Sequence, residues 1–197
     1  MKEVIKILER FAMRKKFTFI VSSELTSYLE QQAYWIEERS KYAILLKSQD
    51  KQIVNRFEEF RQIVSNELHR PLREMQMWSA FYMQQMKKAA NFSVPGAGKT
   101  SMIYGVFAYL NSSAINAVDR IIMIGPKNSF LSWKLEFMEN FGNKKELRLL
   151  DIHDEDAPIL QLEINSLGKN LILINYESLQ KYERILCEII DERTMLV

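Results

Sequence analysis

Five consecutive residues near the middle of the chain have the composition of a phosphate-binding loop. They read Gly-Ala-Gly-Lys-Thr at positions 96–100 and lie between Pro95 and Ser101. Glycines let the main chain adopt conformations closed to other residues, and they let its N–H groups approach phosphate oxygens. A helix that begins at Lys99 would also direct its unpaired amides and the positive end of its dipole at the same anion.

The cation and the hydroxyl in this loop predict ATP and Mg²⁺ as its ligands. Lys99 would contact the β- and γ-phosphates, and the Thr100 hydroxyl would bind Mg²⁺, so both are predicted catalytic residues. The full pattern has glycine at position 93, where this chain has Ser93. The alternative is a chance glycine-rich turn, which the flanking strand and helix patterns disfavour. The predicted phosphate-binding residues are Pro95, Gly96, Ala97, Gly98, Lys99, Thr100 and Ser101.

The elements around the loop predict an α/β fold with a parallel sheet and helices on both faces. From Pro71 onward, short apolar runs alternate with helical patterns, which is typical of buried parallel strands. The predicted strands lie at 90–94, 120–125, 147–151, 170–175 and 194–197. Helices are predicted between them, except that an acidic loop and a weakly helical stretch follow 147–151.

The first 70 residues have a different pattern and predict a mainly helical N-terminal appendage, with the α/β domain at 71–197. After a possible short strand at 17–21, one helix is predicted from Ser22 or Ser23 and another from Asp50. The second helix places four apolar residues on one face: Ile53, Phe57, Phe60 and Val64.

Composition restricts the class of protein. The sequence is 47% apolar and 26% charged with a net charge of +2, which is typical of a globular protein. It has no run of about 20 apolar residues for a membrane span and no secretory signal pattern. The single cysteine, Cys187, fits a reducing cytoplasm and is predicted to be a buried structural thiol.

Three further segments, taken with the loop, carry a resemblance to a known family. They are HRPLREMQMWSAF at 69–81, IIMIGPKNSFLSWKLEF at 121–137 and ILINYESLQ at 172–180. In this order they resemble the first RecA-like lobe of superfamily-two helicases and translocases, nearest the Snf-type and restriction-type branches. Such families commonly have serine or alanine where the loop here has Ser93.

The resemblance implies an ATP-hydrolysing engine that moves on nucleic acid, with DNA favoured over RNA. It places Gln76 against adenine, with Arg73 as a weaker neighbour, because an amide both donates and accepts as adenine requires. It also implies contacts to the nucleic-acid backbone, which position a strand without reading its sequence. Those residues are Lys127, Asn128, Ser129, Asn175, Tyr176 and Ser178.

Several of these residues have a structural alternative. Pro126 and Asn128 are also common turn and helix-start residues, so they fit a capping role equally well. For Tyr176 the alternative to a nucleic-acid contact is packing against Tyr182. Trp133, together with Phe137 one turn later, is expected in the core.

The Asp-Glu pair that hydrolyses ATP in this family is not evident in the chain. Asp191 and Glu192 are predicted to end a helix, with 194–197 as the true strand, cut off before its acidic pair. The second lobe is also absent, so the chain alone is expected to be inactive. His69 and His153 are predicted to be surface or structural residues.

Two other classes of function stay open. One is a non-catalytic interaction module, in which residues 1–70 bind a protein partner and the nucleotide site is vestigial. The other, a small nucleotide kinase, lacks a clear set of acceptor-binding arginines after position 101 and ranks last.

Overall fold

The structure, a computed structural model, describes residues 2–48, 50–152 and 166–197. The chain divides into two compact units, Met1–Ile53 and Val54–Val197. The boundary predicted at residue 70 stays a prediction.

The first unit is helical. It contains α1 (Lys2–Lys15), α2 (Ser23–Ser48) and the start of α3 (Lys51–Glu67). Ser22 Oγ accepts the Leu25 amide at 3.3 Å and Asp50 Oδ1 accepts the Gln52 amide at 3.0 Å, so both helices begin at the predicted caps. The strand proposed at 17–21 is wrong, because the described part of this unit contains no neighbouring strand to complete its hydrogen bonds.

In the residues described, the second unit is built on a parallel sheet of four strands with the order β2-β3-β1-β4. The strands are β1 (Arg120–Gly125), β2 (Leu149–Asp151), β3 (Leu171–Asn175) and β4 (Thr194–Leu196). Ile121 is in register with Leu171 of β3 and with Met195 of β4. The predicted parallel α/β architecture is confirmed.

Helices α4 (Glu74–Met86), α5 (Lys99–Asn111), α6 (Phe130–Phe141) and α7 (Leu179–Ile189) accompany this sheet, and α5 packs against both α4 and α6. One cluster packs α7 on the strands through Tyr182, Ile185, Leu186 and Ile189. A second cluster is aromatic and joins α5 to α6. Trp133 and Phe137, predicted core residues, are both buried there.

The predicted strand at 90–94 does not form. Residues 89–98 are described and contain no strand, and the side chains of Phe92 and Val94 are 94% and 72% exposed. A strand needs a hydrogen-bonded neighbour, and within the described residues β2, β3, β1 and β4 pair only with one another. Instead, the Ser93 amide donates to Asn91 Oδ1 at 3.0 Å.

Cys187 lies on the exposed face of α7, so its predicted burial is wrong. The buried face of α7 is set by Tyr182, Ile185, Leu186 and Ile189, and at 100° per residue Cys187 points away from it.

Candidate nucleotide site and nucleic-acid edge

The glycine-rich loop has the main-chain shape that its sequence predicts. Gly96 and Gly98 have φ angles of 81° and 82°, a region that residues with a Cβ rarely adopt. A Cβ added at Gly96 would meet nothing within 4 Å, so the main chain there is open to a ligand. Pro95 and Ala97 complete the turn, in which the Ala97 amide donates to the Val94 carbonyl at 3.2 Å.

Helix α5 begins directly after this loop, with Gly98 as its N-cap and no side chain capping the first turn. The first amides of a helix have no intrahelical acceptor, and the helix dipole adds positive potential at the same end. Loop and helix therefore present main-chain donors to one place, which is the arrangement that binds phosphate.

The Lys99 ammonium group lies over the same loop. Its Nζ donates to the main-chain oxygens of Ser93 at 2.5 Å and Val94 at 3.1 Å. Both acceptors are neutral carbonyls, so the positive charge of Lys99 is not balanced by either of these two partners. A bound phosphate would supply the negative charge that balances it.

Gln76 on α4 lies against the loop. Its Nε2 donates to the Ala97 carbonyl at 2.9 Å, while its Oε1 accepts the Arg73 amide at 3.0 Å. A Cβ added at Gly98 would collide with the same Nε2. The structure thus brings together Gln76, Arg73 and the loop, which were predicted from separate segments.

Thr100 and Ser101 point to different surroundings. Thr100 is half-buried at the start of α5, whereas Ser101 is 4% exposed and its hydroxyl contacts Arg70 and Glu136 rather than the loop. The main-chain amide of Ser101 nevertheless lies in the first turn of α5, beside the loop.

The predicted nucleic-acid contacts lie at the carboxyl ends of two neighbouring strands. Gly125 ends β1 opposite Asn175, the last residue of β3, so residues 127–129 and 175–178 follow from one edge of the sheet. Lys127, Asn128 and Tyr176 are exposed.

The other members of this edge are partly engaged. Ser129 Oγ donates to the Pro126 carbonyl at 2.7 Å, and Ser178 is half-buried. Asn175 is buried, and its Nδ2 donates to Glu177 Oε2 at 2.8 Å. The edge therefore offers one cation and one exposed aromatic ring, with an acidic group beside them.

Asp191 and Glu192 lie in the turn between α7 and β4, as predicted. They precede β4 and so lie at the amino edge of the parallel sheet, away from residues 127–129. Asp191 accepts from Arg120 Nη2 at 2.9 Å and Thr194 Oγ1 at 2.7 Å, which is a structural role. His69 is exposed, and His153 and the acidic run at 154–156 lie outside the described residues.

Three residues that contact the start of α5 were missed: Arg70, Glu136 and Asn140. All three bond to the Ser101 hydroxyl or to one another. Arg70 and Glu136 fall inside the segments that carry the family resemblance, so their charges at 70 and 136 were a signal. Nothing in the spacing indicates that they meet.

Comparison with known proteins supports the fold. No protein-family profile matches the sequence, and no match is found among curated proteins. The SWI2/SNF2 ATPase core of Sulfolobus solfataricus in complex with double-stranded DNA is similar in structure, with a TM-score of 0.50 and 20% sequence identity. The match covers 66% of this chain and 26% of that chain.

The chain has a RecA-like α/β fold. At 20% identity the likeness carries the fold and no more. Within the described ranges, the RecA-like chain has no helix that is both long and apolar enough to cross a membrane.

Proposed function

We propose that this chain is the ATP-binding lobe of a nucleic-acid-dependent ATPase of the helicase or translocase type. The single observation that carries the proposal is the uncapped start of α5 behind a loop with two left-handed glycines and one lysine. Such a loop binds the phosphates of a nucleotide.

Each residue of the site has a separate role in this proposal. The amides of residues 96–101 receive the phosphate oxygens, and Lys99 moves from the Ser93 and Val94 carbonyls to the β- and γ-phosphates. The Thr100 hydroxyl would hold Mg²⁺, which neutralises charge on the phosphates.

Gln76 gives the site its preference for adenine. A carboxamide has two N–H donors and an oxygen with two lone pairs. Gln76 uses one donor on Ala97 and one lone pair on Arg73. One donor and one acceptor remain, which is the pair that adenine N6 and N7 require.

The sheet edge formed by residues 127–129 and 175–178 is the proposed nucleic-acid contact. Its donors suit phosphate groups of the backbone, which carry no sequence information. The similarity to an ATPase core in complex with double-stranded DNA supports DNA as the partner. Movement along the strand belongs to the proposal only together with a second lobe.

The proposal is tested by titrating the chain with a fluorescent ATP analogue in excess magnesium. Saturable binding that unlabelled ATP displaces is expected. Hydrolysis at a rate typical of complete motors is not expected, because the residues described place no Asp-Glu pair at the carboxyl edge of the sheet. Failure of the analogue to bind would overturn the proposal.

A further inference from the structure

A buried hydroxyl joins the first turn of α5 to α6. Ser101 Oγ donates to Glu136 Oε2 at 2.9 Å and accepts from Arg70 Nη2 at 2.7 Å. Asn140 Nδ2 lies 3.4 Å from the same Oγ and 3.2 Å from Glu136 Oε2. Three segments that are distant in sequence therefore meet at the residue directly after Thr100.

Arg70 ties the connection between α3 and α4 to the same place. Its two terminal nitrogens pair with different carboxylates, Nη2 with Glu136 and Nη1 with Glu139. Its main-chain amide donates to the Asn140 carbonyl at 3.2 Å. These ion pairs are partly exposed, so their contribution to stability is small. Their geometry is specific, because a guanidinium holds its partners in a fixed plane.

One turn further along, α5 is attached to α6 again. Tyr104 Oη donates to the Trp133 carbonyl at 2.7 Å, and its ring packs edge-on against Trp133 and Phe137 with centroids 5.4 Å apart. The Tyr104 contacts fix the body of α5. The contacts of Ser101 instead hold the first turn of α5, where the amides have no intrahelical partners and the helix frays most easily.

We propose that Glu136 and Arg70 are positioning residues that act through Ser101 to set the orientation of Thr100. Successive helix residues point 100° apart, so anchoring the Ser101 hydroxyl on α6 fixes the direction of its neighbour. Without the anchor the first turn loosens and the Thr100 hydroxyl loses its fixed place beside the phosphates. The inference rests on the proposed nucleotide-binding function.

The expected signature is in the magnesium dependence of binding, since Thr100 is the residue proposed to hold the ion. The affinity of the full chain for a fluorescent ADP analogue is measured in excess magnesium and again in EDTA, and the ratio of the two affinities is compared between variants. Ser101→Ala and Glu136→Leu should lower the ratio about fivefold, somewhat less than a hydrogen bond to a charged group can supply. Glu136→Gln, which keeps an acceptor but loses the charge, should lower it less.

Ser112→Ala is the matched control. Ser112 is also a buried serine of the α5 segment, but it lies at the opposite end, where its Oγ donates to the Tyr109 carbonyl at 2.7 Å. If Ser101 has only a structural role, Ser101→Ala will resemble Ser112→Ala: the melting temperature will fall and the ratio of affinities will stay at the wild-type value. That result would overturn the inference.

The two levels of proposal fail differently. If the wild-type chain binds no analogue under either condition, the proposed function is wrong. If it binds and the ratio is unchanged in Ser101→Ala and in Glu136→Gln, only the positioning role is wrong. The glutamine variant keeps the test decisive should Ser101→Ala fail to fold.

Discussion

The Gln76 amide nitrogen donates a hydrogen bond of 2.9 Å to the main-chain oxygen of Ala97, so α4 is joined directly to the phosphate loop. The same side chain accepts from the Arg73 amide, which fixes its orientation at the start of the helix. A residue proposed to read the base therefore also contacts the loop proposed to hold the phosphates. Base recognition and loop geometry are coupled through one side chain.

Gln76→Ala should remove the preference for ATP over GTP. The affinity for ATP is expected to fall about tenfold, the value of a good bidentate contact to adenine, while the affinity for GTP changes little. Competition of each nucleotide against a fluorescent ATP analogue measures both values. Gln84→Ala, on the same helix, is the control and should keep the preference. An unchanged ratio in the Gln76 variant would refute adenine recognition by this residue.

Gly98→Ala should weaken ATP binding by about tenfold, as expected for Gln76→Ala, whereas Gly168→Ala should leave it unchanged. Both positions have positive φ angles, 82° and 69°, so an added Cβ costs about 1–2 kcal/mol of stability at either site. Only at Gly98 does the Cβ also displace the Gln76 amide, because nothing lies within 4 Å at Gly168. Thermal melting and analogue binding of both variants separate the two effects. Equal loss of binding would show that backbone strain alone is responsible.

Arg193→Gln should flatten the loss of stability in acid. Hydrogen bonds from Arg193 lower the pKa of Asp119, with both carboxylate oxygens 2.6 Å from guanidinium nitrogens. The unfolded chain then binds the proton more readily than the folded chain. The stabilisation is therefore present at neutral pH and is lost as the pH falls below the ordinary aspartate value of about 3.9.

Melting temperatures across that pH range measure this effect. At neutral pH the Arg193 variant should melt about 2 °C lower, the size expected for an exposed pair, and the difference from wild type should shrink in acid. Arg184→Gln, which removes an exposed pair with Glu188, is the control for the loss of one surface cation. A difference that grows as the pH falls would contradict the assigned sign.

Lys127→Ala should weaken nucleic-acid binding without changing sequence preference. Affinity falls as salt rises, and removing one phosphate contact makes the plot of log affinity against log salt less steep by about 1. Lys169→Ala is the matched control, because Lys169 precedes β3 at the opposite edge of the sheet. Fluorescence anisotropy with a labelled duplex at several salt concentrations gives both slopes. Identical slopes for the two variants would remove residues 127–129 from the proposed interface.

Periodicity was enough to predict most of the fold. The runs at 120–125 and 170–175 contain Ile, Leu or Met at all four of their central positions, a pattern typical of a strand covered on both faces, and both form strands. The end of α7 was also predictable, because Tyr182, Ile185 and Ile189 keep the helical period up to the turn that holds Asp191.

The two errors have different physical causes. A strand exists only if another strand pairs with it, and the sequence around 90–94 shows apolar residues without showing whether they have a neighbour. Cys187 was misplaced because its flanking residues Leu186 and Ile189 are buried, while the helix turns the thiol outward.

The candidate site was predictable in part. Glycines and a lysine at fixed spacing identify a loop by local chemistry alone. The contacts of Ser101 with Arg70 and Glu136 depend on how α5 and α6 pack, and sequence separations of 31 and 35 residues give no local signal of them.

The loop after Val94 is proposed to bind a nucleoside triphosphate through its main-chain amides and Lys99. Titration of the chain and of its Lys99→Ala variant with a fluorescent ATP analogue in excess magnesium tests it most directly. The wild-type chain is expected to bind the analogue saturably, and the variant to bind it at least about tenfold more weakly while keeping the wild-type far-UV circular dichroism spectrum. Equal affinities, or no binding by either protein, would contradict it.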